Sequence, residues 1–278
     1  MPGQEFTGNA FVTGGASGIS KAVCVALARR GVRGLVIADI NLDLAMKAAA
    51  ECKAVAINPE FRVEAYQLDV SDPESVQNAI DRMAETFGRI DYVVNGAAVL
   101  GEYNEVSETG LDTLRRTFDV NVQGSFLVIK AATKVMAAQK PIVIDEALPA
   151  RGVSRGVIVN IGSVVGLIGL PKIVQCVASK HAVIGLTKTA AIDNIKHNIR
   201  VNCVSPSWVD TPVVQSAIKG VPTLEKVISS HMPMGRMGIP EEIADVVLFL
   251  CSPSSSWVNG TNFVVDGAMT VGPCSPDM

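Results

Sequence analysis

Short apolar runs alternate with amphipathic stretches from one end of the chain to the other. The first run, residues 10–12, leads straight into a glycine-rich turn. Beyond it Ile19, Ala22, Val23, Ala26 and Leu27 recur at the i, i+3, i+4, i+7, i+8 spacing of one helix face, and Gly31 is placed to end that helix. Residues 35–38 predict a second strand closed by Asp39, residues 42–52 an alanine-rich helix, and residues 65–68 a third strand. Pro73 opens a helix at its first turn, and that helix runs to about Phe87. Residues 92–94, 157–161, 201–204 and 263–265 predict four more strands, with a helix over 179–194 between two of them. Strands alternating with helices are the mark of a parallel sheet covered on both faces. The expectation is a single α/β domain, a doubly wound parallel sheet of about seven strands, with no internal repeat.

Two stretches break the rhythm. Residues 139–155 are too long for a tight helix-to-strand turn and read as a surface excursion. Residues 208–238 hold Pro212, Pro222 and Pro233 around a short helical pattern. Ligands of open α/β sheets bind beyond the carboxyl ends of the strands, so this long segment after the sixth strand is a candidate substrate lid.

Composition narrows the class. Hydrophobic residues are 48% of the 278 and charged residues 18%, against about 25% charged in an average domain. That balance suits a sheet buried on both faces and excludes a disordered chain or a small disulfide-stapled scaffold. The net charge of −3 comes from 24 basic and 27 acidic residues spread along the chain, with no basic run to meet nucleic acid. The longest uncharged apolar stretch, residues 156–171, carries Asn160 and Ser163 and falls short of the roughly 20 residues a membrane span needs. The first residues, MPGQEFTG, carry neither a basic nor an apolar targeting region, so no export is expected. Cys24, Cys52, Cys176, Cys203, Cys251 and Cys274 are scattered, without a CxxC pair or a histidine cluster at metal-ligand spacing. Free thiols, a cytoplasmic location and no metal site are the expectation.

The turn after the first strand, Thr13-Gly14-Gly15-Ala16-Ser17-Gly18-Ile19-Ser20, joins a strand to a helix. That junction offers backbone N–H groups and a helix N-terminus to a pyrophosphate. Asp39 falls 21 residues after Gly18, at the end of the next strand, where a carboxylate accepts from both ribose hydroxyls and repels a 2′-phosphate. An ordinary capped turn accounts for the glycines alone, but not for the strand, the helix and the acid together. The pattern reads as a Rossmann-type dinucleotide site with NAD preferred over NADP.

Over residues 8–270 the chain resembles the short-chain dehydrogenase/reductase family. The family's TGxxxGxG corresponds to the turn above, with Ser20 in place of the last glycine. Its acid after the third strand matches Asp69-Val70, its NNAG matches Asn95-Gly96-Ala97-Ala98, and its NVxGxF asparagine matches Asn121. Its strand-end serine matches Ser163, and its YxASK motif appears as Cys176-Val177-Ala178-Ser179-Lys180. Its proline-glycine turn appears as Pro206-Ser207, followed by Thr211. The resemblance implies cofactor contacts from Gly14, Ser17, Gly18, Ile19, Asp39, Asp69, Val70, Asn95, Ala97, Lys180, Pro206 and Thr211. It implies catalytic roles at Asn121, Ser163, Cys176 and Lys180, a small-molecule substrate of specialised metabolism, and assembly as a homodimer or homotetramer, or as one subunit of a hetero-oligomer.

Cys176 stands where the family has its tyrosine, four residues before Lys180 and thirteen after Ser163. The family's tyrosine exchanges a proton with the substrate oxygen, assisted by the lysine. A thiol has the acidity for that step but sits a full aromatic ring short of it. Of the chain's three tyrosines, Tyr66 and Tyr92 fall in or beside strands, leaving Tyr103 as the one conceivable stand-in. Cys176 also reads as a small buried residue that widens the pocket, or as a covalent nucleophile, although His181 lies on a different helix face. Three functions follow: an oxidoreductase acting on a small, apolar alcohol or carbonyl compound, a non-redox isomerase or cyclase on the same scaffold, and a catalytically silent subunit.

Overall fold

The computed structural model describes residues 6–221 and 223–272, so Pro222 and Cys274 lie outside the described residues. The strands in chain order are β1 (Asn9–Thr13), β2 (Gly34–Asp39), β3 (Arg62–Gln67), β4 (Tyr92–Asn95), β5 (Ile142–Val143), β6 (Val153–Ser154), β7 (Gly156–Ile161), β8 (Ile199–Pro206) and β9 (Asn262–Val265). Seven of them make one sheet in the order β3-β2-β1-β4-β7-β8-β9, with every neighbouring pair parallel. The helices are α1 (Gly18–Arg29), α2 (Leu42–Val55), α3 (Pro73–Phe87), α4 (Leu111–Phe118), α5 (Gly124–Ala138), α6 (Val174–Asp193), α7 (Pro212–Gly220), α8 (Leu224–His231) and α9 (Pro240–Cys251). This is the expected single-domain, doubly wound Rossmann-like fold. The strand order reverses between β1 and β4, which opens a crevice beyond their carboxyl ends.

Alternate side chains of each central strand feed two cores. Ala10, Val12, Leu35 and Ile37 pack with Leu27, Ala48 and Val247 of α1, α2 and α9. Phe11, Val36, Val93 and Ile158 pack with Met83, Val128 and Ala191 of α3, α5 and α6. Burial on both faces is why these strands read as unbroken apolar runs. Leu27, wholly buried, contributes roughly 1.5–3 kcal/mol by its removal from water. Asp72 caps α3 by accepting from Glu74 N at 3.0 Å, and Pro73 sits in the first turn as read from the sequence.

The boundaries differ where polarity masks the pattern. β3 begins at Arg62 because it is an edge strand whose Arg62 and Glu64 do not read as apolar. α6 begins at Val174, ahead of the predicted 179, because its inward face carries Gln175, Cys176, Ser179 and Lys180, all buried. Residues 139–155 are not plain coil: β5 and β6 pair antiparallel. Arg151 donates to Pro253 O, and Arg155 Nε donates to Gln139 O at 3.0 Å, fastening this excursion to the domain. Segment 208–238 holds α7 and α8 over an apolar cluster of its own, Leu224, Ile228 and Met232. Its ends are tied by a bridge between Val209 and Gly238, where Gly238 N donates to Trp208 O and Asp210 N to Gly238 O, both at 2.9 Å.

Among the described residues the free thiols Cys24, Cys52, Cys176, Cys203 and Cys251 are all buried. No group of side chains there could hold a metal ion, and no helix is long and apolar enough to cross a membrane.

Candidate active site

Two adjoining hollows lie beyond the carboxyl ends of the strands. One is a polar cleft of about 450 Å³, bounded by the glycine turn, the ends of β2, β7 and β8, and the start of α6. The other is an apolar chamber of about 710 Å³, roofed by α7 and α8. Ala98, Val99, Leu100 and Val213 line both, forming a common wall.

At the glycine turn, Gly14 has φ +63°, and a Cβ there would stand 2.9 Å from the Ala97 backbone. Only glycine lets the chain turn while β1 and β4 approach this closely. Ser17 precedes α1 in an extended conformation and makes no side-chain cap. The leading N–H groups of α1 therefore lack that internal acceptor, beside the cleft that Ser17, Gly18 and Ile19 line. Asp39 is tied back to this turn, its Oδ2 accepting from Ala16 N at 3.1 Å and its Oδ1 from Asn41 N at 3.0 Å. Asp69 Oδ1 accepts from Ser71 N at 2.9 Å and Ser71 Oγ at 2.6 Å, and Asp69 and Val70 form the next part of the wall.

Ser163, Cys176 and Lys180 line the same cleft, joined by Ala97, Pro206 and Thr211. Lys180 Nζ donates to Ile161 O at 2.8 Å and is buried; burial lowers its pKa, with the Cys176 and Cys203 thiols acting the other way. Ser163 Oγ accepts from Val165 N at 3.3 Å and reaches Pro206 O only at 3.5 Å, so its proton is loosely held. Cys176 packs with Val164, Val165 and Ile173. Burial raises its pKa, more than the Lys180 charge lowers it, so the thiol is neutral at pH 7. Thr211 caps α7, accepting from Val214 N at 3.4 Å.

Two of the sequence-derived residues do not reach either wall. Asn95 is buried in a polar knot, accepting from Thr13 Oγ1 at 3.1 Å and donating to Ser125 O at 3.2 Å and Asn160 Oδ1 at 3.3 Å. Asn121 lies in a π-helical turn, Asp119–Gln123, between α4 and α5. Such a turn rotates one residue out of helical register, and here Asn121 accepts from Val99 N at 2.8 Å and donates to Val99 O at 2.9 Å and Ser179 Oγ at 3.0 Å. Both asparagines act on the walls through the backbone. Tyr103 lines the chamber beside Lys172, whose Nζ is 5.7 Å from its ring, and is not in the cleft with Lys180. Tyr66 and Tyr92 are packed into the cores.

Ile40, Leu68, Arg116 and Val120 also line the cleft and were not read from the sequence. Ile40 had a signal: an apolar residue directly after the strand-end acid, 64% exposed. Arg116 and Val120 had none, because their position depends on how α4 runs into the π-helical turn.

Comparison with known proteins agrees with this geometry. Residues 14–270 match the family model described as enoyl-(acyl carrier protein) reductase. The chain is 50% identical over 269 residues to a short-chain dehydrogenase of Neurospora crassa, covering 96% of this chain and 98% of that protein. It is 37% identical over 261 residues to the cyclohexanol dehydrogenase of an Acinetobacter species, with 94% of each covered. Among solved structures, levodione reductase superposes with a TM-score of 0.85 at 29% identity, covering 97% of this chain and all of that one.

Proposed function

The chain belongs to the short-chain dehydrogenase/reductase family, and from that premise we propose that it is a nicotinamide-dependent oxidoreductase acting on a small, apolar alcohol or carbonyl compound, with proton transfer altered by Cys176. One observation carries this reading: Ser163, Cys176 and Lys180 line a polar cleft that shares a wall with an apolar chamber. A cyclic alcohol, the kind of substrate named for the Acinetobacter relative, fits such a chamber in chemistry. Segment 208–238, with α7 and α8 over the chamber, serves in this reading as the substrate lid.

The residues of the cleft fit a dinucleotide. Gly14 leaves room for close approach, the uncapped start of α1 favours a pyrophosphate, and Asp39 offers its remaining lone pairs to ribose hydroxyls. A 2′-phosphate would meet the Asp39 charge, which favours NAD over NADP. When bound, the nicotinamide supplies or accepts the hydride. Ser163 turns its loosely held proton toward the substrate oxygen. Lys180, with one N–H on Ile161 O, keeps two donors to hold a ribose hydroxyl and a water. Cys176 holds its own proton too firmly to replace a phenol as acid, and as a neutral thiol it is a poor nucleophile. The proton on the substrate oxygen then comes through water beside Lys180. The missing positioned acid is worth roughly 10²–10⁴ in rate, or about 3–5 kcal/mol.

The space at Cys176 also suits a non-redox isomerase or cyclase, since a smaller side chain enlarges the site. One experiment separates the two. The protein is incubated with NAD and cyclohexanol, or with NADH and cyclohexanone, and the nicotinamide absorbance is followed for the wild type and for Cys176→Tyr. The expected result is a slow wild-type turnover that rises roughly ten- to a hundredfold in the variant. No binding of NAD or NADH by calorimetry overturns the redox reading.

A further inference from the structure

Gln175, immediately before Cys176, is wholly buried in the first turn of α6 and lines neither hollow. Its Nε2 donates to two main-chain carbonyls of the segment after β4, Leu100 O at 3.1 Å and Glu102 O at 2.6 Å. Two acceptors at one nitrogen fix the amide's orientation, because a flipped amide would set oxygen against oxygen. The cost is visible: Gln175 Oε1 is left buried without a hydrogen-bond partner. Gly101, between the two carbonyls, has φ +78°, and a Cβ there would stand 2.7 Å from Gln175 Nε2. Amide and glycine are fitted to each other.

The same segment is tied on either side of this clamp. Asn121 holds both backbone groups of Val99, and Asn104 N donates to Lys172 O at 2.9 Å. Between these ties Leu100 faces both hollows and Tyr103 the chamber. The clamp thus reaches the chamber's wall without touching its contents.

We propose that Gln175 is a specificity-determining positioning residue: its carboxamide clamps residues 100–102 against α6 and so sets the shape of the wall that meets an apolar substrate. This rests on the reading of the chamber as the substrate pocket. Neither hydrocarbon nor carboxylate serves in its place, since leucine leaves both carbonyls bare and a glutamate anion repels them.

The test uses Gln175→Leu and Gln175→Glu, with ADP-ribose as probe of the cleft, the apolar dye 8-anilinonaphthalene-1-sulfonate as probe of the chamber, and amide hydrogen exchange across residues 99–104. In Gln175→Leu, exchange in that segment should quicken by about tenfold or more and dye binding weaken by roughly tenfold, with ADP-ribose affinity within about twofold. Gln175→Glu should match it at about pH 8 and recover at about pH 5, where a protonated carboxyl again donates one hydrogen bond, a rescue that a packing role would not produce. Unchanged exchange and dye binding in both variants overturns the proposal, as does an equal loss of ADP-ribose affinity. If Gln175→Leu does not fold, Gln175→Glu at the two pH values decides. Failure of the wild type to bind the dye overturns the substrate-chamber reading instead, while exchange still decides the clamp.

Discussion

The cleft and the chamber share a wall but are built in opposite ways. The cleft is made by the backbone: a glycine turn, strand ends, and carboxylates held by main-chain N–H groups, as at Asp39 and Asp69. The chamber is made by side chains of α7, α8 and the segment after β4, resting on an apolar cluster apart from the main cores. A backbone-built site tolerates little change, because its geometry is that of the sheet itself. A side-chain-built one can change its contents while the sheet stays as it is. In the proposed function this separates a fixed cofactor from a variable substrate.

The sharpest way to break that contrast is Gly14→Val. A side chain at φ +63° facing the Ala97 backbone at 2.9 Å costs roughly 1–3 kcal/mol in overpacking and about 1–2 kcal/mol in left-handed strain. ADP-ribose affinity should fall by about a hundredfold or more in calorimetry, with dye binding in the chamber retained. Loss of both together would show that the two sites are one unit.

Asp39→Ala should act more mildly. Removing one charged acceptor is worth about a factor of ten for NAD or NADH, and discrimination against NADP should relax with it. Titration of both dinucleotides checks this, and tighter NADP binding by the wild type would refute the stated preference.

The smallest effect belongs to the chamber's fastening. The Arg236 hydrogen bond and charge, with the Ile239 backbone N–H, hold Glu242 down to about pKa 2. A depressed carboxylate pKa gives stability that is present above the ordinary value of 4.5 and lost as pH falls toward about 2. Dye binding should therefore be flat down to about pH 4.5 and weaken below it. Arg236→Gln should weaken it by no more than about twofold at neutral pH, as befits an exposed pair.

What could be read from the sequence follows the same division. Gly14, Asp39, Ser163 and Lys180 were legible because strand, turn and helix are local patterns, and each residue sits at a junction that those patterns define. Asn95 was read as a cleft residue, yet its amide is spent knitting β1, β4 and β7 together, and no local pattern tells a strand-end amide that faces out from one that faces in. Gln175 escaped notice because its partners, Leu100 and Glu102, are more than seventy positions away. The pairing of β5 with β6 was also missed, since two-residue strands carry too little alternation to register.

The bridge between Val209 and Gly238 has a consequence for ancestry and engineering. It brings the two ends of the proposed lid to a single doorway, where Trp208, Asp210 and Gly238 exchange backbone hydrogen bonds. Everything between the doorposts hangs outside the sheet's own pairing. Closing a loop twice as long across a fixed doorway costs only about 0.6 kcal/mol more. The segment between 210 and 238 is in that sense a cassette: it can be lengthened, shortened or exchanged for another with the doorposts kept, and a new tenant for the chamber need not disturb the machinery next door.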